Sequence, residues 1–280
     1  MNHPYVDAHS EEAVIHRFYS DGYIVIPDAI SPDICQALRA EIDHVDNQND
    51  SERTYRKGVT VHHRMFEQAW HHFQLFFREP VTTLAEKIIA DPVMQELGHK
   101  DFTGLDAQTT THVIHNNAIV VQPGQDGINK WHQDDAPHFL SDLDVENMQS
   151  RFHLPVLALT ANYYLTDVNE VGNGPMQVVA GSHKFGKVCP QELPEKYMAT
   201  PLMGKAGTVI MFNNQLWHSG SPNTSNRTRY VSQVSYGRRF IGHMYHPFMN
   251  YKFPQHLIEF IKDDPRKMRL VGFLGHGPYG

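Results

Sequence analysis

A change of hydrophobic rhythm near residue 104 most constrains what this chain can fold into. Before it, apolar residues recur at helical spacing. After it, short β-branched runs alternate with Gly/Pro/Asn turns. His112–Gln122 stops at Pro123-Gly124, and Val156–Thr166 is a second run. Met176-Gln177-Val178-Val179 follows a Gly-Asn-Gly-Pro turn, Gly207–Phe212 is a strong strand, and Thr228–Tyr236 alternates. Short strands set apart by turns predict a β-sandwich or barrel-like core. No helices of regular length separate them, which argues against a doubly wound parallel sheet. The 280 residues, 40% hydrophobic, suffice for one large domain.

The first third reads as mainly helical. Residues 11–22 predict a helix ending at Gly22, and Tyr23–Pro27 a short strand. Ser31-Pro32 opens a second helix, with Ile34, Leu38, Ile42 and Val45 on its inner face. Asn47–Arg56 is polar and reads as loop. Met65–Phe77 is rich in aromatics at mostly helical spacing, which suits core packing, and Pro80–Leu97 reads as another helix. His62-His63 and His71-His72 read as surface or lid histidines. Pro254–Leu274 predicts a helical tail.

The net charge of -7 leaves no electrostatic footprint for nucleic acid or an anionic membrane. Two cysteines, Cys35 and Cys189, cannot make a disulfide framework and read as free thiols in a reducing compartment. The first residues lack the basic and apolar regions of a signal peptide, and no apolar run approaches the roughly 20 residues that span a bilayer. The expectation is a cytoplasmic protein without membrane or nucleic-acid partners.

The sharpest local feature is Lys130-Trp131-His132-Gln133-Asp134-Asp135. On an extended strand His132 and Asp134 face the same way, so both can reach one cation. His218 follows a buried strand about 85 residues downstream. Two histidines and a carboxylate form the facial triad of non-haem Fe(II) oxygenases, which leaves positions open for a chelating co-substrate and O2. Zinc can use the same ligands. Arg229, eleven residues after His218, favours iron with 2-oxoglutarate. A guanidinium pairs bidentately with the distal carboxylate of that co-substrate, and stays charged when buried. Arg227 is the second candidate anchor. Trp131 and Trp217 adjoin the ligands as pocket walls or as core. Asn116, Asn117, Gln133, Asp135, His138, Asn162 and Tyr163 are candidates for the substrate side.

In order, Phe18–Ile26, Pro123-Gly124, Trp131–Asp134, Asp167–Lys184, His218–Asn223 and Arg229 resemble the phytanoyl-CoA dioxygenase family. That resemblance implies a double-stranded β-helix (jelly-roll) core with flanking helices. One domain over 1–280 is expected: a helical part to about 104, the jelly roll over about 105–240, and an extension over 241–280. The resemblance also implies the metal set His132, Asp134 and His218, with Arg229 as the 2-oxoglutarate anchor. Gln122 stands where some members carry a lysine that reaches the co-substrate. Gly220 replaces a frequent serine, so Ser219 or Ser221 is expected to supply that contact. Ala180-Gly181-Ser182-His183 departs from the family's Pro-Gly-Ser-His turn; it reads as structural, so His183 is not a ligand candidate. Related halogenases lack the carboxylate that Asp134 supplies, so hydroxylation of a small natural-product or amino-acid-like molecule is expected, with release of succinate and CO2. The competing readings are a metal-dependent isomerase or hydrolase of the same fold, and a catalytically silent binding protein. The expected state is a monomer or homodimer.

Overall fold

A computed structural model describes residues 10–48, 53–56, 58–90, 111–140, 155–243 and 252–273. Ten strands lie in it: β1 (Tyr23–Ile26), β2 (Arg53–Arg56), β3 (Val59–His63), β4 (Thr111–Val121), β5 (Ala158–Tyr164), β6 (Met176–Val178), β7 (Thr200–Leu202), β8 (Val209–Asn213), β9 (His218–Ser219) and β10 (Arg229–Arg238). Seven form a large antiparallel sheet in the order β1-β8-β5-β10-β4-β3-β2, and three form a small sheet in the order β7-β6-β9. This is the jelly-roll arrangement. β1 matches the strand expected at Tyr23–Pro27, while β2 and β3 are further strands of the first third that join the large sheet. The stretch Asn47–Arg56, read as loop, ends in β2, with residues 49–52 outside the described ones.

Local signals explain the early elements. Helix α1 (Glu11–Asp21) starts at Ser10, whose hydroxyl accepts from the Ala13 amide. It stops at Gly22, whose φ of 83° is the left-handed conformation that a helix C-terminus favours. Helix α2 (Pro32–Gln48) has Ser31 before it, and the Ser31 hydroxyl accepts from the Ile34 amide. The aromatic run from 65 to 77 breaks into a 3-10 turn (Met65–Glu67), helix α3 (Trp70–Gln74) and a second 3-10 turn (Leu75–Phe77). Helix α4 covers Val81–Ala90, and the rest of that expected helix falls outside the described residues. The tail supplies α5 (Gln255–Ile261) and α6 (Pro265–Leu270).

The pleat of the large sheet divides the protein into two cores. On one face Ile24, Leu159, Ala161, Tyr163, Val209, Met211, Val234 and Tyr236 pack with Phe18, Leu38, Phe73, Phe76 and Ile88 of the helical layer. On the other face Tyr23, Val25, Tyr164, Ile210, Phe212 and Val231 meet Met176, Val178 and Leu202 of the small sheet. Alternate residues of the same strands therefore serve different cores. Tyr163 belongs to the helical core, fully buried. Its expected place on the substrate side is corrected, because the pleat turns Asn162 and Tyr164 inward instead.

Several histidines are structural. His72 is fully buried between Glu41, 2.8 Å away, and the Ser232 hydroxyl, so its reading as a surface residue is corrected. His183 is held by its Nε2 against the Tyr19 carbonyl. The Nε2 of His112 bonds the Ile241 carbonyl. Burial pushes the pKa values of His112 and His183 down to about 4. In the unfolded chain both would take up protons near the ordinary value of 6.5, which the folded protein resists. Their share of stability is thus present above about pH 6.5 and is lost as the pH falls towards 4. Urea unfolding between about pH 7 and pH 4 should show this decline, and His183→Gln should give a shallower pH slope; an unchanged slope would remove His183 from the account.

Candidate metal centre and cavity

The metal-ligand candidates are assembled by backbone pairing. His132 and His218 exchange two amide-carbonyl hydrogen bonds, each 2.9 Å, in an antiparallel bridge beside β9. The Asp134 amide donates to the Asn214 carbonyl at 3.0 Å, which fixes the third residue on the same framework. His218 Nε2 lies 3.4 Å and His132 Nε2 3.8 Å from Asp134 Oδ1. One ligand atom from each residue falls within 4.8 Å of the others.

Each imidazole is oriented by its other nitrogen. His132 Nδ1 lies 2.8 Å from the Lys130 carbonyl, and His218 Nδ1 lies 2.8 Å from that of Leu216. A carbonyl only accepts, so each Nδ1 carries a proton, and a neutral ring in that tautomer has its Nε2 lone pair free for a metal beside Asp134. Burial opposes charge on both Asp134 and His218, but their mutual attraction outweighs it. The Asp134 carboxyl is held below its usual range and the His218 imidazole above. Two imidazole nitrogens and an ionised carboxylate on one side of a point suit a divalent first-row metal with adjacent positions open.

The triad opens into a cavity of about 340 Å³ between the two sheets, and Arg229 lines the same cavity. Arg229 is the first residue of β10 and is only 8% exposed. Its Nε has no hydrogen-bond partner, and no carboxylate pairs with it among the described residues. Burial accordingly draws its pKa down, with a small opposing contribution from Tyr164. Gly127 and Gly174 close around the guanidinium; a Cβ built at Gly174 would stand 3.3 Å from one of its terminal nitrogens and 2.8 Å from the Ser221 carbonyl oxygen. A buried guanidinium without a counter-ion is costly, and an anion entering the cavity would relieve that cost. Arg227 is exposed and borders an outer cleft that Arg229 also lines; of the two, Arg229 alone reaches the cavity of the metal-ligand candidates.

Other expected contacts change. Gln122 is exposed, its Oε1 accepts from the Thr228 hydroxyl, and it lies outside the cavity. Ser219 donates to the Gly220 carbonyl, and Ser221 accepts from Gln177 Nε2. Neither serine lines the cavity, because alternation presents Gly220 there instead. A Cβ at Gly220 would stand 2.9 Å from the Ile128 carbonyl oxygen, which leaves no room for the side chain usual in the family. His138 sits outside the cavity lining, 3.7 Å from Asp135. Gln133 lines the cavity, but its amide is engaged by Gln215 and by the Cys189 amide. Trp217 is buried with Val179 and Cys189, and Trp131 and Phe185 pack partly buried against that cluster.

Asn117 and Asn162 do line the cavity, as expected. Three residues there escaped the sequence reading. They are His63, expected as a surface or lid histidine, and His115 and Gln233, which belong to no motif. The signal was available: His115 and Asn117 are two apart on one strand, and Gln233 is four beyond Arg229.

The family model for phytanoyl-CoA dioxygenase (PhyH) matches residues 18–231. The chain belongs to this family. A curated family relative, Dioxygenase trt7 of Aspergillus terreus (strain NIH 2624 / FGSC A1156), is 24% identical over 278 residues, covering 97% of this chain and 86% of the relative. Among solved structures, the epimerase SnoN from nogalamycin biosynthesis, in complex with Fe3+, alpha ketoglutarate and nogalamycin RO, aligns with a TM-score of 0.60 at 16% identity over 82% of this chain and 84% of its own. The carbocyclase SnoK from the same biosynthesis aligns at 0.59 and 19%, over 82% and 84%. HygX from Streptomyces hygroscopicus, with nickel, 2-oxoglutarate and hygromycin B bound, aligns at 0.57 and 13%, over 86% and 95%. These likenesses establish a common fold. No helix among the described residues is long and apolar enough to cross a membrane.

Co(II) titration followed by its d–d absorption tests the ligand set. Wild-type protein should bind one equivalent, and Asp134→Ala should bind about 100-fold more weakly or worse, since even outer-shell changes cost 10–100-fold. Equal affinity in the variant would remove Asp134 from the set.

Proposed function

We propose that this chain is an Fe(II)- and 2-oxoglutarate-dependent oxygenase that hydroxylates a small molecule. The observation that carries the reading is the buried, unpaired guanidinium of Arg229 in the cavity that the triad opens into. A hydrolase or isomerase that uses only the metal has no need of that cation, and a silent binding protein has no need of an oriented triad beside it. When bound, iron with 2-oxoglutarate and O2 supplies the oxidising power, and succinate and CO2 are released.

The chain's own residues orient and shield this chemistry. His132, Asp134 and His218 would hold the metal, and Arg229 would pair with the distal carboxylate of the co-substrate. Val61, Ile119, Val231 and Tyr164 follow Arg229 across β3, β4, β10 and β5, and form a dry wall beside the co-substrate chain. The Phe212 ring packs 4.9 Å from that of His218 and limits its movement. Asp134 fills the position that halogenases leave to chloride, which favours oxygen transfer. The solved relatives include an epimerase and a carbocyclase, which favours hydrogen abstraction followed by inversion or ring closure as the second reading. The net charge of -7, and the single Arg that lines the cavity among the described residues, disfavour a CoA thioester.

Succinate release from 2-oxoglutarate with Fe(II) under air is the test. Arg229→Ala should raise KM for 2-oxoglutarate about tenfold or more, as expected for loss of a charge-assisted pair, and Arg229→Lys should raise it less. His132→Ala should abolish turnover. Absence of 2-oxoglutarate binding to the metal-loaded wild type would overturn the reading; an isotope label from 18O2 in the product would separate hydroxylation from inversion or closure.

A further inference from the structure

Across the large sheet, on the cavity face, runs one transverse row of polar side chains. The strand registers place His63 opposite Asn117, Asn117 opposite Gln233, and Gln233 opposite Asn162. These are cross-strand neighbours on β3, β4, β10 and β5, and their side chains are joined. His63 Nδ1 lies 3.2 Å from Asn117 Oδ1, Asn117 Nδ2 lies 3.3 Å from Gln233 Oε1, and Gln233 Nε2 lies 3.0 Å from Asn162 Oδ1. The row ends where Asn162 Nδ2 meets the Met176 sulfur at 3.6 Å.

That last contact sets the direction of the whole row. A thioether has no hydrogen to give, so Asn162 must turn its NH2 to Met176 and its oxygen to Gln233. Gln233 then donates to Asn162 and presents oxygen to Asn117. Asn117 in turn presents its NH2 to Gln233 and its oxygen to His63. The second hydrogen of the Asn117 amide points to His115 Nδ1, 3.3 Å away. His115 Nδ1 therefore accepts, and its proton resides on Nε2. Burial, reinforced by the neighbouring His63, pushes the His115 pKa down to about 4, so the ring is neutral at physiological pH. The two rings stack with centroids 6.2 Å apart. His115 lines the cavity, and its Nε2 has no hydrogen-bond partner among the described residues.

The row lies too far from Arg229 to serve the co-substrate. Gln233 is four residues along β10 from Arg229, or about 13 Å at the usual rise of a strand, farther than a five-carbon dicarboxylate reaches. Among the described residues, Arg229 is also the only Lys or Arg lining the cavity. The substrate end of the cavity therefore offers amide dipoles, a neutral imidazole and the Asp135 carboxylate, and among the described residues no Lys or Arg to bind a phosphate or a carboxylate.

We propose that His115 is a specificity-determining residue whose Nε2–H donates to a carbonyl or hydroxyl oxygen of a neutral substrate, with Asn117 as the positioning residue that fixes its tautomer. This rests on the oxygenase reading for what happens to the substrate, but not for how His115 is held. A site built to donate to a substrate oxygen rejects analogues that lack it, because the donor is left unmet.

The test uses the full-length protein labelled with 15N-histidine, loaded with Zn(II) and N-oxalylglycine, with the His115 ring signals identified by their disappearance in His115→Gln. The expected result at neutral pH is the Nε2–H tautomer for His115, and loss of that single-tautomer signature in Asn117→Leu. Cyclohexanone, a neutral oxygen acceptor, should shift the His115 Nε2 resonance, and cyclohexylammonium should not. A proton on Nδ1, an imidazolium, no response to cyclohexanone, or a response to cyclohexylammonium would each overturn the proposal. If Asn117→Leu does not fold, the wild-type tautomer and the two probes still decide. Succinate release by the wild-type protein is measured separately; its absence would overturn the oxygenase reading and leave the His115 assignment to the NMR result.

Discussion

A pleated strand shows alternate side chains to opposite faces, and here both faces of one sheet have something to cover. β10 illustrates the constraint. Val234 and Tyr236 go to the helical layer, while Arg229, Val231, Gln233 and Ser235 go to the cavity. A slip of one residue would exchange the two sets, bury a guanidinium among phenylalanines and expose apolar residues to the cavity. Both cores therefore hold the same register, and the polar groups of the cavity inherit their positions from it. The neighbours of β10 extend the order sideways, so that an apolar row and then a row of amides succeed one another beyond Arg229.

Much of this was legible in the sequence. The change of rhythm near residue 104 marks the jelly roll, and β4, β5, β8 and β10 coincide closely with apolar or alternating runs. Ser31-Pro32 and Gly22 marked helix ends because capping is local chemistry. β3 was hidden because Val59–His63 is short and carries two histidines, and its strand character comes from pairing with β4 rather than from its own residues. Tyr163 was misplaced for a related reason. All seven residues of β5 are buried, so nothing in its own pattern told which face looked at the helices. Only the partner strands settle that parity.

In the cavity, the types of residue were easier to read than their duties. His132, Asp134 and His218 stand out because their spacing and neighbours are distinctive. Gln122, Ser219 and Ser221 are expected at the co-substrate from the family resemblance, yet their side chains are engaged by Thr228, the Gly220 carbonyl and Gln177. Proximity in sequence does not say which way a side chain leaves a turn. Spacing along the strand puts His115 on the face of Asn117 and Gln233 on that of Arg229, but the hydrogen-bonded row they join is visible only when four strands lie side by side.

The bridge between His132 and His218 has a consequence for how the centre assembles. The two histidines are separated by a long stretch of chain, yet amide-carbonyl pairing joins them directly, and each ring is steered by a carbonyl two residues earlier. The entropy of bringing them together is thus charged to folding of the sheets, not to capture of an ion. A centre built this way is a rigid socket rather than a set of arms that gather around a guest. Exchange of one divalent ion for another would then leave the surrounding strands undisturbed, and selection among metals would fall to ligand chemistry and supply, with little help from conformational adjustment.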